Sequence, residues 1–392
     1  MTKRRICVVT GSRADYGLLV PLLRQLEAEP SAEVFLAVTG AHLAPEFGLS
    51  YQAIEEDGFE IQAKVEMLLS SDTPTGIARS LGLAVMGFAD VFSASRPDLL
   101  VVLGDRYEIL AAAQAAMLAR LPIAHIHGGE TTEGAIDEAI RHSLTKMSHL
   151  HFTATEPYRR RVIQLGEEPD RVFNVGALGI DNITSIPLLS RDELGETLAI
   201  RLQDPLLAIT YHPATLGHSG AGAATVALLG ALDRFPSATC IFSAVNADPG
   251  GRVIGRMIEQ YVARSPVRRL MVKSLGQQRY LSLMRHADCV VGNSSSGILE
   301  APALGVPTVN IGDRQRGRLR PASVIDCPEE EGAIAEAIRR ALDPDFRRLA
   351  AAAGTPYGDG KAAPRIARIL LDHPLDGLLQ KRFNDLVGVG DD

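Results

Sequence analysis

Only four cysteines occur in 392 residues, at positions 7, 240, 289 and 327, and no two of them form a CxxC pair. That spacing excludes a disulfide-stapled scaffold and argues against a zinc ribbon. Three of the four lie in apolar runs and read as buried free thiols. Basic charge is short as well: 40 Lys and Arg face 47 Asp and Glu, a net charge of −7. The broad positive surface of a nucleic-acid binder is not expected, and neither is a nucleic-acid partner. The longest apolar stretch, residues 109–124, is interrupted by Gln114, Arg120 and Pro122. It is too short and too polar to cross a bilayer, so no membrane partner is expected. Residues 1–5 are basic but run straight into a strand pattern without the apolar core of a signal peptide. The cytoplasm is therefore the expected compartment. Two nucleotide motifs are missing too. No Gly-Lys-Ser/Thr closes a Walker A loop and no GxGxxG follows the first strand, so neither a P-loop enzyme nor a dinucleotide oxidoreductase is supported.

What is present is a globular composition, 46% hydrophobic and 22% charged, in a chain too long for one ordinary domain. Short β-branched runs alternate with helical patterns. Residues 5–10, 33–38, 99–103 and 122–126 predict strands, with helices near 18–27 and 108–118. The rhythm then restarts: strands at 206–210, 238–245, 289–291 and 307–311, helices at 224–233 and 296–304. Strands that are apolar on both faces and alternate with helices indicate parallel sheets buried under helices. Residues 181–204, rich in turn residues and charge, read as a linker, and the tail from Phe383 carries little signal. The expected architecture is α/β, with two Rossmann-like domains facing across a cleft, divided as residues 1–180 and 181–362. Ligands in open α/β sheets sit beyond the carboxyl ends of strands, so the site is expected in that cleft.

The chemistry-bearing residues cluster where strands end. The first strand closes in Gly11-Ser12-Arg13-Ala14-Asp15, a small-residue turn with an arginine fork that suits a phosphate or a sugar, or an ordinary strand–helix turn. The next closes in Gly104-Asp105-Arg106-Tyr107, and the following one in His125-Ile126-His127-Gly128-Gly129-Glu130. Asp137, Glu138, Arg141 and His142 come next on a helix-like segment, where Asp137 and Arg141 share a face. Carboxylates converging beside imidazoles suit general acid–base catalysis, because crowding spreads their pKa values. His125 and His127, alternating on a strand, also allow a metal reading; a core histidine bonded to backbone is the bland alternative. His149 and His151 repeat the spacing without nearby acids and read as packing residues.

In the second half, Tyr211-His212-Pro213 closes a strand. Gly292-Asn293-Ser294-Ser295-Ser296-Gly297 then leads into a helix bearing Glu300. Backbone N–H groups, three hydroxyls and a helix dipole make an anion site there, with Glu300 one turn on to accept from a ribose diol. Asp313-Arg314-Gln315-Arg316-Gly317-Arg318-Leu319-Arg320 supplies four arginines for phosphate neutralisation, or simply a solvated charged loop.

Taken together these segments resemble the UDP-N-acetylglucosamine 2-epimerases, specifically their hydrolysing bacterial branch on the sialic acid and legionaminic acid pathways. The matching stretches are TGSRADYG at 10–17, VTGAHL at 38–43, LGDRYE at 103–108, AHIHGGE at 124–130, IRHSLTKMSHLH at 140–151, YHP at 211–213, GNSSSG at 292–297 and NIGDRQRGR at 310–318. They run in order over nearly the whole chain. The resemblance implies a glycosyltransferase-B-like fold, a UDP-sugar substrate, no cofactor and no metal. It also implies a homodimer or homotetramer and a C-terminal helix, about residues 363–380, crossing back to the first domain. In this family UDP leaves by elimination across C1–C2 to a 2-acetamidoglucal, and water then adds with inversion at C2.

Carried over by position, Asp105, Asp137 and His212 match catalytic residues. Arg13, Asn246, Ser294, Ser295, Glu300 and Arg314 match substrate or nucleotide positions. Asp15, His42, Arg106, Arg141, His142, Ser296 and Gly297 lie inside the matching motifs and count as substrate-binding positions. Some relatives carry Glu where this chain has His127, so the C2 base is either His127 or Glu130. A fixed positive cradle for the diphosphate would replace a metal. The expected reaction converts UDP-N-acetylglucosamine to N-acetylmannosamine and UDP. The same reaction on UDP-2,4-diacetamido-2,4,6-trideoxyglucose is the alternative substrate, with residues 66–75 a loop that could read C4 and C6. A UDP-sugar glycosyltransferase is the rival from another class, and would need only one carboxylate at the cleft. A binding module that has lost its chemistry is the other.

Overall fold

The computed structural model describes residues 3–71, 73–133, 136–213, 221–243, 251–272 and 275–386. The chain divides into two compact units. One comprises residues 1–130, 137–182 and 357–392, and the other residues 131–136 and 183–356.

The first unit is built on seven strands: β1 (Arg4–Thr10), β2 (Ala32–Thr39), β3 (Ala63–Val65), β4 (Leu99–Leu103), β5 (Ile123–Ile126), β6 (Leu150–Thr153) and β7 (Val172–Asn174). They lie in the order β3-β2-β1-β4-β5-β6-β7, and every pairing is parallel. Central β1 sets Ile6 against Val34 of β2 and Leu99 of β4. Every residue of β4, Leu-Leu-Val-Val-Leu, is buried, because helices cover both faces of the sheet. Each such side chain contributes about 1.5–3 kcal/mol on full burial. The chain reverses direction across the sheet at β1 and β4, so the crevice beyond their carboxyl ends is the topological switch point.

The second unit repeats the plan with β8 (Leu206–Thr210), β9 (Thr239–Ser243), β10 (Arg269–Val272), β11 (Cys289–Gly292), β12 (Thr308–Ile311) and β13 (Val324–Cys327). The order is β10-β9-β8-β11-β12-β13, again parallel throughout, and its switch point lies at β8 and β11. Both units are thus Rossmann-like.

The segment 181–204 read as a linker carries helical structure. Leu178–Ser185 and Arg191–Leu198 are helices, the second closed by a capping box between Ser190 and Glu193. The C-terminal helix Ala362–Asp372 packs Ile366 and Leu370 into the same core as Leu19, Leu22 and Leu23. Asp181 accepts from the backbone N–H groups of Ala362 (3.0 Å) and Ala363 (2.8 Å), and so caps the start of that helix. At its far end Arg4 donates to Leu370 O and His373 O.

The helix Pro74–Ser95 is 22 residues long and apolar enough to span a membrane by length and composition. Its Gly76, Ser80, Ala84, Phe88 and Phe92 stripe is buried, while Arg79 and Asp90 are exposed on the opposite side. That is a surface helix of a globular unit. Cys7, Cys240 and Cys289 are buried, Cys327 is half-buried, and all four are free thiols.

Candidate active site

In the first unit the strand ends bring an acid–base cluster together. Asp105 follows β4, and Asp137 opens the helix Asp137–Met147. Arg141, one turn into that helix, is 1% exposed. Its guanidinium donates to Asp105, to Glu138 at 2.6 Å and to the Glu130 carbonyl at 2.9 Å. Burial works against this charge, but Asp105, Glu130 and Glu138 outweigh it and hold the guanidinium charged. Glu138 also meets His142 Nε2 at 3.1 Å.

Asp137 answers to the same surroundings in the opposite sense. Burial, and then the charge of Asp105, push its carboxyl above the usual carboxylate range; Arg106 and Arg141 oppose them. One carboxylate is thus paired with an arginine, while its neighbour is biased towards the protonated form.

The turn after β5 supplies the third element. His127 sits at φ +68°, an uncommon conformation for a residue with a Cβ. Its N–H is bonded to Phe152 O at 2.8 Å. Gly129 follows at φ +77°, where a Cβ would meet Tyr158 O at 2.3 Å. Glycine is therefore required there, and the tight turn folds Glu130 back until its Oε1 lies 3.5 Å from His127 Nδ1. His127 is 7% exposed and Glu130 3%. The two open alternatives for the C2 base are therefore partners in one pair.

His125 has the bland role. Its Nε2 pairs with Gly104 O at 2.8 Å, it is fully buried, and burial pushes its pKa down to about 3, so it is a neutral core residue. His149 accepts from Ile123 N, and His151 pairs with Glu167 at 2.9 Å. Among the described residues no three His, Cys, Asp or Glu side chains converge on a metal position.

Three residues placed among the substrate contacts have protein partners of their own. Arg141 is buried and shared by the acceptors above. His42 is 0% exposed, with ring nitrogens 3.0 Å from Thr10 Oγ1 and 2.9 Å from Ser50 Oγ. Asp15 is buried and accepts from Gly11 N and Thr10 Oγ1, both at 2.8 Å, and from Ser12 Oγ. Asp15 and His42 fasten the β1 and β2 turns, and leave Arg13 exposed at the start of the helix Arg13–Glu27. Arg106 is half-exposed beside Asp105.

In the second unit the anion turn has the expected shape. Gly292 sits at φ +139°, where a Cβ would lie 1.9 Å from Thr210 O, so only glycine lets β11 cross so close to the end of β8. The turn feeds the helix Ser296–Ala303, which starts on Ser295 without a side-chain cap and so presents backbone N–H groups. Arg314 donates to Asn293 O at 3.1 Å and Gln315 Nε2 to the same carbonyl at 2.9 Å. Asn293 in turn brackets His212, accepting from its N and donating to its O, both at 2.8 Å. Burial, and then the charge of Arg314, push the His212 pKa down to about 3. His212 therefore works as a neutral imidazole.

Of the four arginines in that loop, Arg316 pairs with Glu133 at 3.2 Å and Arg320 with Asp326 at 3.1 Å, while Arg314 bonds the turn itself through Asn293 O. Glu300 lies one helical turn beyond, half-buried. Asn246 lies outside the described residues. The motifs contain Glu138, Asn293 and Gln315 without giving them a role, and Tyr280, whose hydroxyl is 3.4 Å from Thr210 Oγ1, lies outside them. Glu138 was reachable from its spacing to Arg141 and His142; the others follow from strand adjacency alone.

The model of the UDP-N-acetylglucosamine 2-epimerase family matches residues 24–371. The chain belongs to that family. It is an enzyme acting on a nucleotide sugar. Among its relatives, the GDP/UDP-N,N'-diacetylbacillosamine 2-epimerase (hydrolyzing) of Campylobacter jejuni is 40% identical over 98% of this chain and 100% of its own. The polysialic acid biosynthesis protein P7 of Escherichia coli is 40% identical over 94% of each chain. Among solved structures, the Neisseria meningitidis UDP-GlcNAc 2-epimerase bound to UDP-GlcNAc superposes with a TM-score of 0.82 at 19% identity, covering 94% of this chain and 100% of that one. The last match bears on the fold alone. The first places the chain with the hydrolysing branch.

Proposed function

We propose that the chain hydrolyses and epimerises UDP-N,N'-diacetylbacillosamine, the UDP-linked 2,4-diacetamido-2,4,6-trideoxyglucose, to UDP and the free 2-epimer. The observation that carries the reaction is the Asp105–Arg141–Asp137 arrangement. It sets an arginine-paired carboxylate beside one biased towards protonation, next to the His127–Glu130 pair. Inversion at C2 needs a group that removes a proton from one face and another that returns a proton to the other. The His127–Glu130 pair takes the C2 proton as the C1–O bond breaks, the electrons form C1=C2, and UDP leaves with the bonding pair. Asp137 then returns a proton to C2 while Asp105 draws one from the water whose oxygen adds to C1. The developing charge on UDP is taken by the backbone N–H groups of residues 294–297 and by Arg314, with neutral His212 alongside. A preformed cradle of this kind supports turnover without a metal, and activity is expected to survive chelation.

The diacetamido sugar is supported by the Campylobacter relative, matched over its whole length. UDP-N-acetylglucosamine is the second reading, favoured by the family's description and by the polysialic acid relative. Initial rates on the two UDP sugars separate them. A kcat/KM at least about tenfold higher for the diacetamido sugar is expected, since an unfilled 4-acetamido subsite costs one or two polar contacts. The reverse order would assign the enzyme to UDP-N-acetylglucosamine. A homodimer is proposed as well. Its support is the exposed Leu83 and Met86 on the helix Pro74–Ser95 and Met117 and Leu118 on Tyr107–Leu118. Sedimentation at the monomer mass would exclude it.

A further inference from the structure

His125 is 0% exposed on β5, but its ring meets three segments that carry the proposed chemistry. Nε2 is 2.8 Å from Gly104 O. A carbonyl only accepts, so the ring proton is on Nε2, and burial keeps the imidazole neutral. Nδ1 is then an acceptor, and Thr145 Oγ1 stands 3.4 Å from it. The same hydroxyl is 3.1 Å from Arg141 O on the helix Asp137–Met147. Gly128 closes over this contact: a Cβ there would come 3.2 Å from both Nδ1 and Thr145 Oγ1. Gly128 belongs to the turn that runs from His127 to Glu130.

The bond to Gly104 is the one that reaches Asp105. Gly104 follows β4 at φ +79°. Its N–H donates to Ile126 O at 3.0 Å and its carbonyl accepts from His125, so β5 holds both polar groups of this residue. The carbonyl oxygen lies in the rigid peptide plane that also contains the Asp105 nitrogen. Fixing the oxygen fixes that plane, and with it the direction in which Asp105 leaves the backbone towards Arg141. The other residues of β5 are Ile123, Ala124 and Ile126, so packing by itself does not call for an imidazole here. An apolar side chain in its place would leave the Gly104 carbonyl without this donor.

We infer that His125 is a positioning residue of the epimerase site: through Gly104 O and Thr145 it sets the turn carrying Asp105 against the helix carrying Asp137 and Arg141. The inference rests on the reading of Asp105 as a catalytic carboxylate. Replacing His125 leaves the Asp105–Arg141 pair able to form but releases the peptide plane behind it. A displacement of about 1 Å in a reacting group costs about a hundredfold in rate, so turnover rather than binding should suffer.

Two amides dissect the ring in the full chain. His125→Gln sets its amide where Nε2 stands and can still donate to Gly104 O, whereas the shorter His125→Asn sets its amide near Nδ1. In His125→Asn kcat is expected to fall about a hundredfold with KM within about threefold, and in His125→Gln kcat should stay within about fivefold of the unsubstituted chain. Normal kcat in His125→Asn overturns the inference, as does an equal loss in both variants or a loss carried by KM. If His125→Asn does not fold, His125→Leu, which keeps apolar volume and removes both nitrogens, is judged by the same criteria. A second readout needs no substrate: the Asp105 carboxyl carbon, observed by NMR with 13C-aspartate labelling and assigned with Asp105→Asn. Its resonance is expected to shift in His125→Asn and to hold its place in His125→Gln. An unmoved resonance in His125→Asn overturns the inference. Because no UDP sugar is present, that failure and a failure of the proposed reaction are told apart.

Discussion

A guanidinium that is 1% exposed tolerates burial only because Asp105, Glu138 and the Glu130 carbonyl surround it. Arg141→Met should therefore strand two carboxylates and destabilise the fold by about 3–5 kcal/mol in urea unfolding, with loss of activity in whatever remains folded. Asp105→Asn removes a carboxylate that is 24% exposed while keeping its shape. It should abolish turnover while UDP affinity stays within a few-fold; normal rates in that variant would break the assignment.

The buried histidines set the acid limit of stability. His125 and His212 titrate at about 3 and His149 at about 4, each down from 6.5, chiefly through burial. The unfolded chain then binds more protons than the native one below pH 6.5. Unfolding free energy should consequently fall as the pH drops from 6.5 towards 4, by up to about 1.4 kcal/mol per pH unit for each histidine. Glu167, held down to about 2 by His151, Lys146 and Lys381 against its burial, adds a further loss below its unfolded value of 4.5. A flat denaturation profile over pH 4–6.5 would contradict these assignments.

At the scale of elements, the strands that packed most fully were the most legible. Residues 99–103 and 206–210 are strands with those bounds, because each is an unbroken apolar run buried on both faces. The short edge strands β3 (Ala-Lys-Val), β7 (Val-Phe-Asn) and β13 (Val-Ile-Asp-Cys) carry mixed three- and four-residue patterns that a two-sided sheet does not enforce at its margins. Strand ends marked the site, since glycines and charges interrupt apolar runs there. What the sequence concealed was the use of each polar group. Asp15 and His42 look like ligand contacts from their motifs, and only the packing of the β1 and β2 turns shows them bonded to Thr10. Gly292 gives this scale its test. A Cβ at 1.9 Å from Thr210 O cannot be accommodated without moving β11 or β8. Gly292→Ala should cut UDP affinity at least about tenfold in calorimetry, while a variant with unchanged affinity would remove the serine turn from the nucleotide site.

Across the whole molecule, the repeated strand order makes two units of one plan, each with a switch point where its chemistry lies. The first unit carries the acid–base cluster and the second the anion turn. Composition and alternation were sufficient to read two α/β domains. The assignment of residues 131–136 to the second unit was not readable in that way. It depends on Thr131 seating against Gly317 and Glu133 against Arg316, which are contacts between segments far apart in the chain. The proposed reaction is tested by a proton NMR time course in D2O with chelator present, run on UDP-N,N'-diacetylbacillosamine and on UDP-N-acetylglucosamine. Free UDP together with the free 2-epimer of the sugar, deuterated at C2, is expected. Release of UDP with an unlabelled sugar of unchanged configuration would contradict it.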